Sequence, residues 1–185
     1  MHKELKQSII GISGYKGSGK DTVCSLLHNS LSSTFKIHRF AFADSLKDEV
    51  CSIFKCTRDD IEKDKEKWRV ILQDYGQRAK ESRGEMVWIT EVAKKIQLAS
   101  KLEGQRQLII ITDVRFPFEA KWLQELGGFL VKIERFDSNT DTHISETSVD
   151  QIHNVDYFLP NKGKLGDLER EVRWLAAAIK ERYNI

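Results

Sequence analysis

Gly14-Tyr15-Lys16-Gly17-Ser18-Gly19-Lys20 has the spacing GxxxxGK. Glycines at such positions let a backbone curl until successive N–H groups face one anion. A lysine at the end of the curl reaches the outer phosphates of a nucleotide, and a helix that starts there adds the positive end of its dipole. The flanking residues fit this chemistry. Ser8–Ser13 (SIIGIS) reads as a short buried strand, and Lys20–Leu31 reads as a helix with Val23, Leu26, Leu27 and Leu31 on one face. The residues expected to hold phosphate are therefore Gly14, Lys16, Gly17, Ser18, Gly19, Lys20, Asp21 and Thr22. A glycine-rich turn that merely precedes a helix is the plainer alternative. Strand, loop, lysine and helix in that order weigh against it.

Asp21 stands where a serine or threonine directly after the lysine would ligate Mg²⁺, and Thr22 comes one place later. An acid in the first helical turn is favoured by the dipole. A second acid, Asp113, ends the apolar stretch LIIIT. At the carboxyl end of a buried parallel strand, a carboxylate faces the ligand crevice. Thr22 and Asp113 are thus the expected metal ligands, directly or through water. Arg115 lies two residues on, and its fork suits a phosphate. Asp113 could equally be the N-cap of the helix that follows, with Arg115 in a surface pair.

Further candidates are weaker taken singly. Asp44 and Lys47 follow the alternating stretch 36–43 (KIHRFAFA), which reads as a second strand. Asp44 suits the N-cap of its helix and also a positioning role. Arg69, Gln73, Gly76 and Lys80 share one helical face, with Arg78 and Arg83 nearby, and could meet an anionic acceptor or simply be solvated. Trp68 and Trp88 read as core residues. Arg135 ends another strand and precedes the polar turn DSNTD, after which come His143, Ser145 and Glu146. An arginine beside such a turn suits a lid over transferring phosphates, and a surface loop is the alternative.

These groups need a scaffold. The remaining strands are read at 107–112, at Phe129–Glu134 and at 156–159, and the remaining helices at 45–54, 86–102, 116–126 and 165–183. The mixed-sign run 58–69 reads as a solvated helix face or loop, and Trp68, Ile71, Leu72, Tyr75 and Ala79 form an apolar stripe beyond it. Strands alternating with helices predict an α/β fold with a parallel sheet. The helical stretch between the second and third strands reads as an insert. The 185 residues suit one domain, and a net charge of +2 gives no case for a nucleic-acid polymer or a membrane surface as partner. The longest apolar run, 174–179, is far too short for a bilayer. The polar start MHKELKQS lacks the apolar stretch of a secretion signal, and three cysteines without CxxC suggest neither disulfides nor zinc. A cytoplasmic protein is expected.

Taken together, residues 14–22 (GYKGSGKDT), 42–47 (FADSLK), 72–76 (LQDYG), 113–117 (DVRFP) and 143–146 (HISE) resemble the bacteriophage-type deoxynucleoside monophosphate kinases, in order and over nearly the whole chain. The chain departs from that pattern at Ser45, Phe118 and Gln77, where the family usually has Pro, Asn and Thr. The resemblance implies a single P-loop kinase domain over residues 1–185. Its five-stranded parallel sheet would have the order 2-3-1-4-5, with helices on both faces, a helical acceptor-binding insert at 44–102 and a lid at 136–150. It implies ATP and Mg²⁺, with the γ-phosphoryl passing to the 5′-phosphate of a deoxynucleoside monophosphate. Lys20, Asp113 and Arg115 would be catalytic. Arg135 would join the loop at ATP, and Asp44, Lys47, Arg69, Gln73, Lys80, Arg115, His143, Ser145 and Glu146 would serve the acceptor. The partner is a small molecule, and a homodimer is compatible with it. A phosphomevalonate kinase-like enzyme and a nucleotide-binding switch are the alternatives.

Overall fold

Ser8–Ser13 is buried at every position, which only a strand covered on both faces can satisfy. A computed structural model describes residues 8–99, 106–135 and 147–185. In chain order the elements are β1 (Ser8–Ser13), α1 (Lys20–Leu31), β2 (Lys36–Phe40), α2 (Phe42–Phe54), α3 (Arg58–Lys63), α4 (Lys65–Arg83), α5 (Val87–Ala99), β3 (Gln107–Val114), α6 (Pro117–Glu125), β4 (Phe129–Glu134), a 3₁₀ turn (Ser148–Gln151), β5 (Tyr157–Pro160) and α7 (Leu165–Arg182). They fall into two compact units, one formed by residues 1–40 with 100–185, the other by residues 41–99.

The first unit is a five-stranded parallel sheet in the order β2-β3-β1-β4-β5, as expected. Ile10 and Ile12 of β1 pack with Leu108 and Ile110 of β3 beneath α1 and α7, which contribute Val23, Leu27, Leu31, Leu168, Val172 and Ile179. On the other face α6 comes so close that a Cβ on Gly11 would lie 2.5 Å from Leu123 Cδ1, so a larger residue there would have to displace the Leu123 side chain. Pro160 is accommodated because β5 is an edge strand. Near the C-terminus, the Tyr183 hydroxyl donates to the Ile9 carbonyl at 2.7 Å, and burial raises its pKa.

The second strand is shorter than its alternating pattern predicts. Its pairing with β3 ends at Phe40 opposite Ile111, and Ala41 is already the N-cap of α2, its carbonyl accepting the Asp44 N–H. Phe42 is buried from the first turn of a helix instead of from a strand. The charged run 58–69 resolves into α3 and the start of α4. Thr57 and Asp60 form a capping box for α3, and the Asp64 carboxylate accepts the Lys67 N–H for α4.

Within the helical unit, Trp68 packs with Val50 and Ile61, flanked by Leu46, Ile71, Leu72 and Tyr75. Gly76 is buried, and a Cβ there would meet Leu46 Cδ2 at 3.2 Å, so α4 lies tightly on α2. Glu49 accepts both Arg83 guanidinium nitrogens, at 3.1 and 2.8 Å, and the Tyr75 hydroxyl at 2.9 Å. The Arg83 fork holds the Glu49 carboxyl below its ordinary pKa. Among the described residues no helix is long and apolar enough to cross a membrane.

Candidate active site

The loop between β1 and α1 is built by its glycines. Gly14, Gly17 and Gly19 have φ of 147°, 74° and 98°, values that L side chains rarely adopt. The Ser18 N–H donates to the Tyr15 carbonyl at 3.1 Å and closes a tight turn. Four loop carbonyls are engaged by side chains. Lys20 Nζ donates to the carbonyls of Gly14 and Tyr15 at 2.7 and 2.6 Å. Arg135, just beyond β4, donates to the Gly17 carbonyl at 3.0 Å, and Asn161, just beyond β5, donates to the Ser18 carbonyl at 2.8 Å. Engaging the carbonyls in this way favours an anion over a cation as the ligand of the loop. Beside it lies a hollow of about 320 Å³ lined by Tyr15, Lys16, Gly17, Ser18 and Arg135. Ser18 is 2% exposed, and among the described residues its Oγ has no hydrogen-bond partner. The tip of the loop is tethered as well, because the Tyr15 hydroxyl donates to Asp150.

Around the loop, Asp21 is 89% exposed and pairs with Arg39 at 3.6 Å. Thr22 is exposed in the first turn of α1. Ser13, the last residue of β1, lies opposite Val114 of β3, so the half-buried Asp113 sits one residue before that pairing, at the edge of the sheet from which the loop springs. The N-cap reading of Asp113 is overturned: the cap of α6 is Phe116. Glu119 does the capping, its carboxylate accepting the N–H groups of Arg115 and Phe116 at 2.8 and 3.0 Å. Glu119 is 4% exposed. Removing it strands two amide donors, so Glu119→Ala should cost about 1–3 kcal/mol. Thermal unfolding several degrees lower would show it, and an unchanged Tm would mean that the cap carries no load.

The N-cap reading of Asp44 also fails. Asp44 is the third residue of α2, and Arg58 pairs with its carboxylate at 3.6 Å and donates to its carbonyl. In the same unit Lys47 pairs with Glu62 at 3.3 Å. Arg69, Gln73 and Lys80 are half-buried on α4, and Gly76 beside them is packing, not a ligand contact. Of the residues singled out in the sequence, the fold gathers 14–20 and Arg135 into one place. His143, Ser145 and Glu146, with most of the segment 136–150, lie outside the described residues. Glu119 and Asn161 were not singled out. A helix-start signal existed for the first, with proline at the first helical position and Glu two residues later. None existed for Asn161, which is 143 residues from its partner.

Comparison with known proteins bears on the fold and on the sequence as a whole. Residues 81–172 match the sequence model of a family described as deoxynucleotide monophosphate kinase. A protein of Acanthamoeba polyphaga mimivirus named "Putative deoxynucleotide monophosphate kinase" is 27% identical, the match covering 89% of this chain and 93% of that protein. Among solved structures, a gluconokinase from Sinorhizobium meliloti 1021 has 12% identity and a TM-score of 0.51, with 98% of each chain covered. TT1252 from Thermus thermophilus has 19% identity and a TM-score of 0.53, with 93% of this chain and 97% of that one covered. The two structures speak for the fold alone, and the sequence matches for similarity to that family. With its sheet order and phosphate loop, the chain has the P-loop kinase fold, and its sequence is similar to that of the deoxynucleotide monophosphate kinases.

Proposed function

We propose that this protein transfers the γ-phosphoryl group of ATP to the 5′-phosphate of a deoxynucleoside monophosphate, giving a deoxynucleoside diphosphate and ADP. The observation that carries the reading is the glycine loop, its carbonyls engaged by Lys20, Arg135 and Asn161 beside a hollow of about 320 Å³. The match over residues 81–172 supports a nucleotide as the acceptor.

Phosphoryl transfer depends mainly on positioning and charge neutralisation. Residues 14–22 cradle the donor phosphates, and Lys20 stabilises the transferring group. Arg135, already at the loop, neutralises donor charge. Among the described residues no three carboxylate, imidazole or thiol groups converge as a metal cage. The available donors, the Asp113 carboxylate and the Thr22 hydroxyl, are hard oxygens, and Mg²⁺ carried on a nucleotide needs only one or two of those from protein. Mg²⁺ supplies charge neutralisation at the donor phosphates. Arg115, Arg69 and Lys80 are assigned to the acceptor phosphate, and Asp44, Lys47 and Gln73 to the rest of the acceptor. His143, Ser145 and Glu146 are assigned to it through the resemblance alone. An acceptor phosphate is already ionised near neutral pH, so Asp44 positions and does not serve as a base.

The test is ADP release from ATP–Mg²⁺ with dAMP, dGMP, dCMP, dTMP, dUMP, their ribose forms and phosphomevalonate. Stimulation by one or more deoxynucleotides is expected. Stimulation by phosphomevalonate alone would keep the donor site and overturn the acceptor, and no stimulation by any compound would overturn the transferase reading.

A further inference from the structure

The loop's carbonyls are held by two kinds of group. Lys20 and Arg135 are cations that a bound polyphosphate would itself attract. Asn161 is neutral, and it is fixed from elsewhere. Its backbone N–H donates to the Glu134 carbonyl at 2.8 Å, which extends the pairing of β5 with β4 by one residue. From that anchor Nδ2 donates to the Ser18 carbonyl at 2.8 Å. The contact is close on both sides, since a Cβ on Gly19 would lie 2.6 Å from Nδ2.

In a trans peptide the carbonyl and the following N–H point in opposite directions. Fixing the Ser18 carbonyl on the Asn161 side therefore directs the Gly19 N–H to the other side. Gly19 has φ of 98° and is the N-cap of α1, so the glycine that gives the loop its curl is also the residue freest to flip. A flip of the Ser18–Gly19 peptide would replace a donor by a carbonyl oxygen on the face that meets phosphate. We infer that Asn161 is a positioning residue for nucleotide binding: it latches the Ser18–Gly19 peptide so that the Gly19 N–H stays turned to the phosphate side when Lys20 and Arg135 leave the loop for the nucleotide. The inference rests on the proposed donor site. It adds a residue outside the loop, at the end of an edge strand, on which the donor site depends.

A neutral amide suits the task. It donates without placing another cation near the loop, whereas a carboxylate would face the Ser18 carbonyl oxygen and also repel phosphate. The experiment compares wild type, N161A and N161D in two measurements. The first follows the Gly19 and Lys20 amide resonances of the nucleotide-free protein by NMR. The second is the ATP dissociation constant at about pH 8 and about pH 5, each variant set against wild type at the same pH. N161A should shift or broaden both resonances and weaken ATP about tenfold, the worth of one hydrogen bond. N161D should weaken ATP about a hundredfold at the higher pH and recover in part at the lower, because a carboxylate facing the Ser18 carbonyl oxygen and the phosphates is driven to take up a proton and can then donate. A merely structural contact would not give that pH-dependent recovery. Unchanged resonances in N161A, or N161D binding ATP as wild type does at both pH values, would overturn the latch. Should wild type itself bind no ATP, the donor-site reading falls, while the resonances of N161A still decide whether the latch exists.

Discussion

Lys20→Ala should lower turnover by about a thousandfold while the ATP dissociation constant changes by less than about tenfold. The imbalance follows from what Lys20 does before nucleotide arrives. Its Nζ is held by the carbonyls of Gly14 and Tyr15 at 2.7 and 2.6 Å. Reaching a phosphate means giving up those bonds, so the net gain on binding is an exchange of partners and is small. As the γ-phosphoryl leaves the donor, charge spreads over its oxygens, and a fixed cation is then worth most. Single-turnover rates with saturating ATP–Mg²⁺, set against calorimetric affinity, separate the two effects. Equal losses in rate and affinity would make Lys20 a binding residue only. Near-normal turnover would remove the donor-site assignment altogether. The alanine variant should keep its fold, because α1 is held by Val23, Leu27 and Leu31 beneath it and not by the lysine.

What could be read from the sequence depended on how local the physics was. The phosphate loop is written in seven consecutive residues, because each glycine answers a backbone requirement of its own position. The sheet order was implied by the motifs' resemblance, and the buried runs of β1 and β3 were legible as strands from their apolar residues alone. Boundaries were less legible where two patterns overlap. RFAFA alternates like a strand, yet Phe42 finds its burial in a helix, because α2 begins there and the pairing of β2 with β3 stops at Phe40 opposite Ile111. Asp113 and Asp44 both occupied cap-like positions in the sequence. For Asp113, competition from Glu119, six residues later, decided the matter, since its carboxylate takes the Arg115 and Phe116 amides. For Asp44, the helix simply begins earlier, at Phe42. Gly76 looked like part of an anion-binding face and proved to be the site of close approach to Leu46. Asn161 was illegible, because its partner is reached only through the stacking order of β1, β4 and β5.

Asp113→Asn tests the other half of the donor site, and the fold makes the substitution unusually discriminating. Asparagine caps a helix about as well as aspartate does, so a capping residue would tolerate the change. Here α6 takes its cap from Glu119, and the first turn should survive in either case. The Tm should therefore stay within a few degrees of wild type. Activity should not. Losing the charge at the carboxyl end of β3 while keeping the shape removes a hard oxygen anion and leaves a neutral amide. The expected result is a fall in turnover of about a hundredfold or more, with a higher Mg²⁺ concentration needed for half-maximal rate. Affinity for ATP measured without Mg²⁺ should hold or improve slightly, since one negative charge near the phosphates has gone. A variant with wild-type turnover and an unchanged Mg²⁺ requirement would take Asp113 out of the metal site and leave Thr22 as its remaining candidate on this chain. A large fall in Tm with the Mg²⁺ requirement unchanged would instead make Asp113 a structural residue of the strand end.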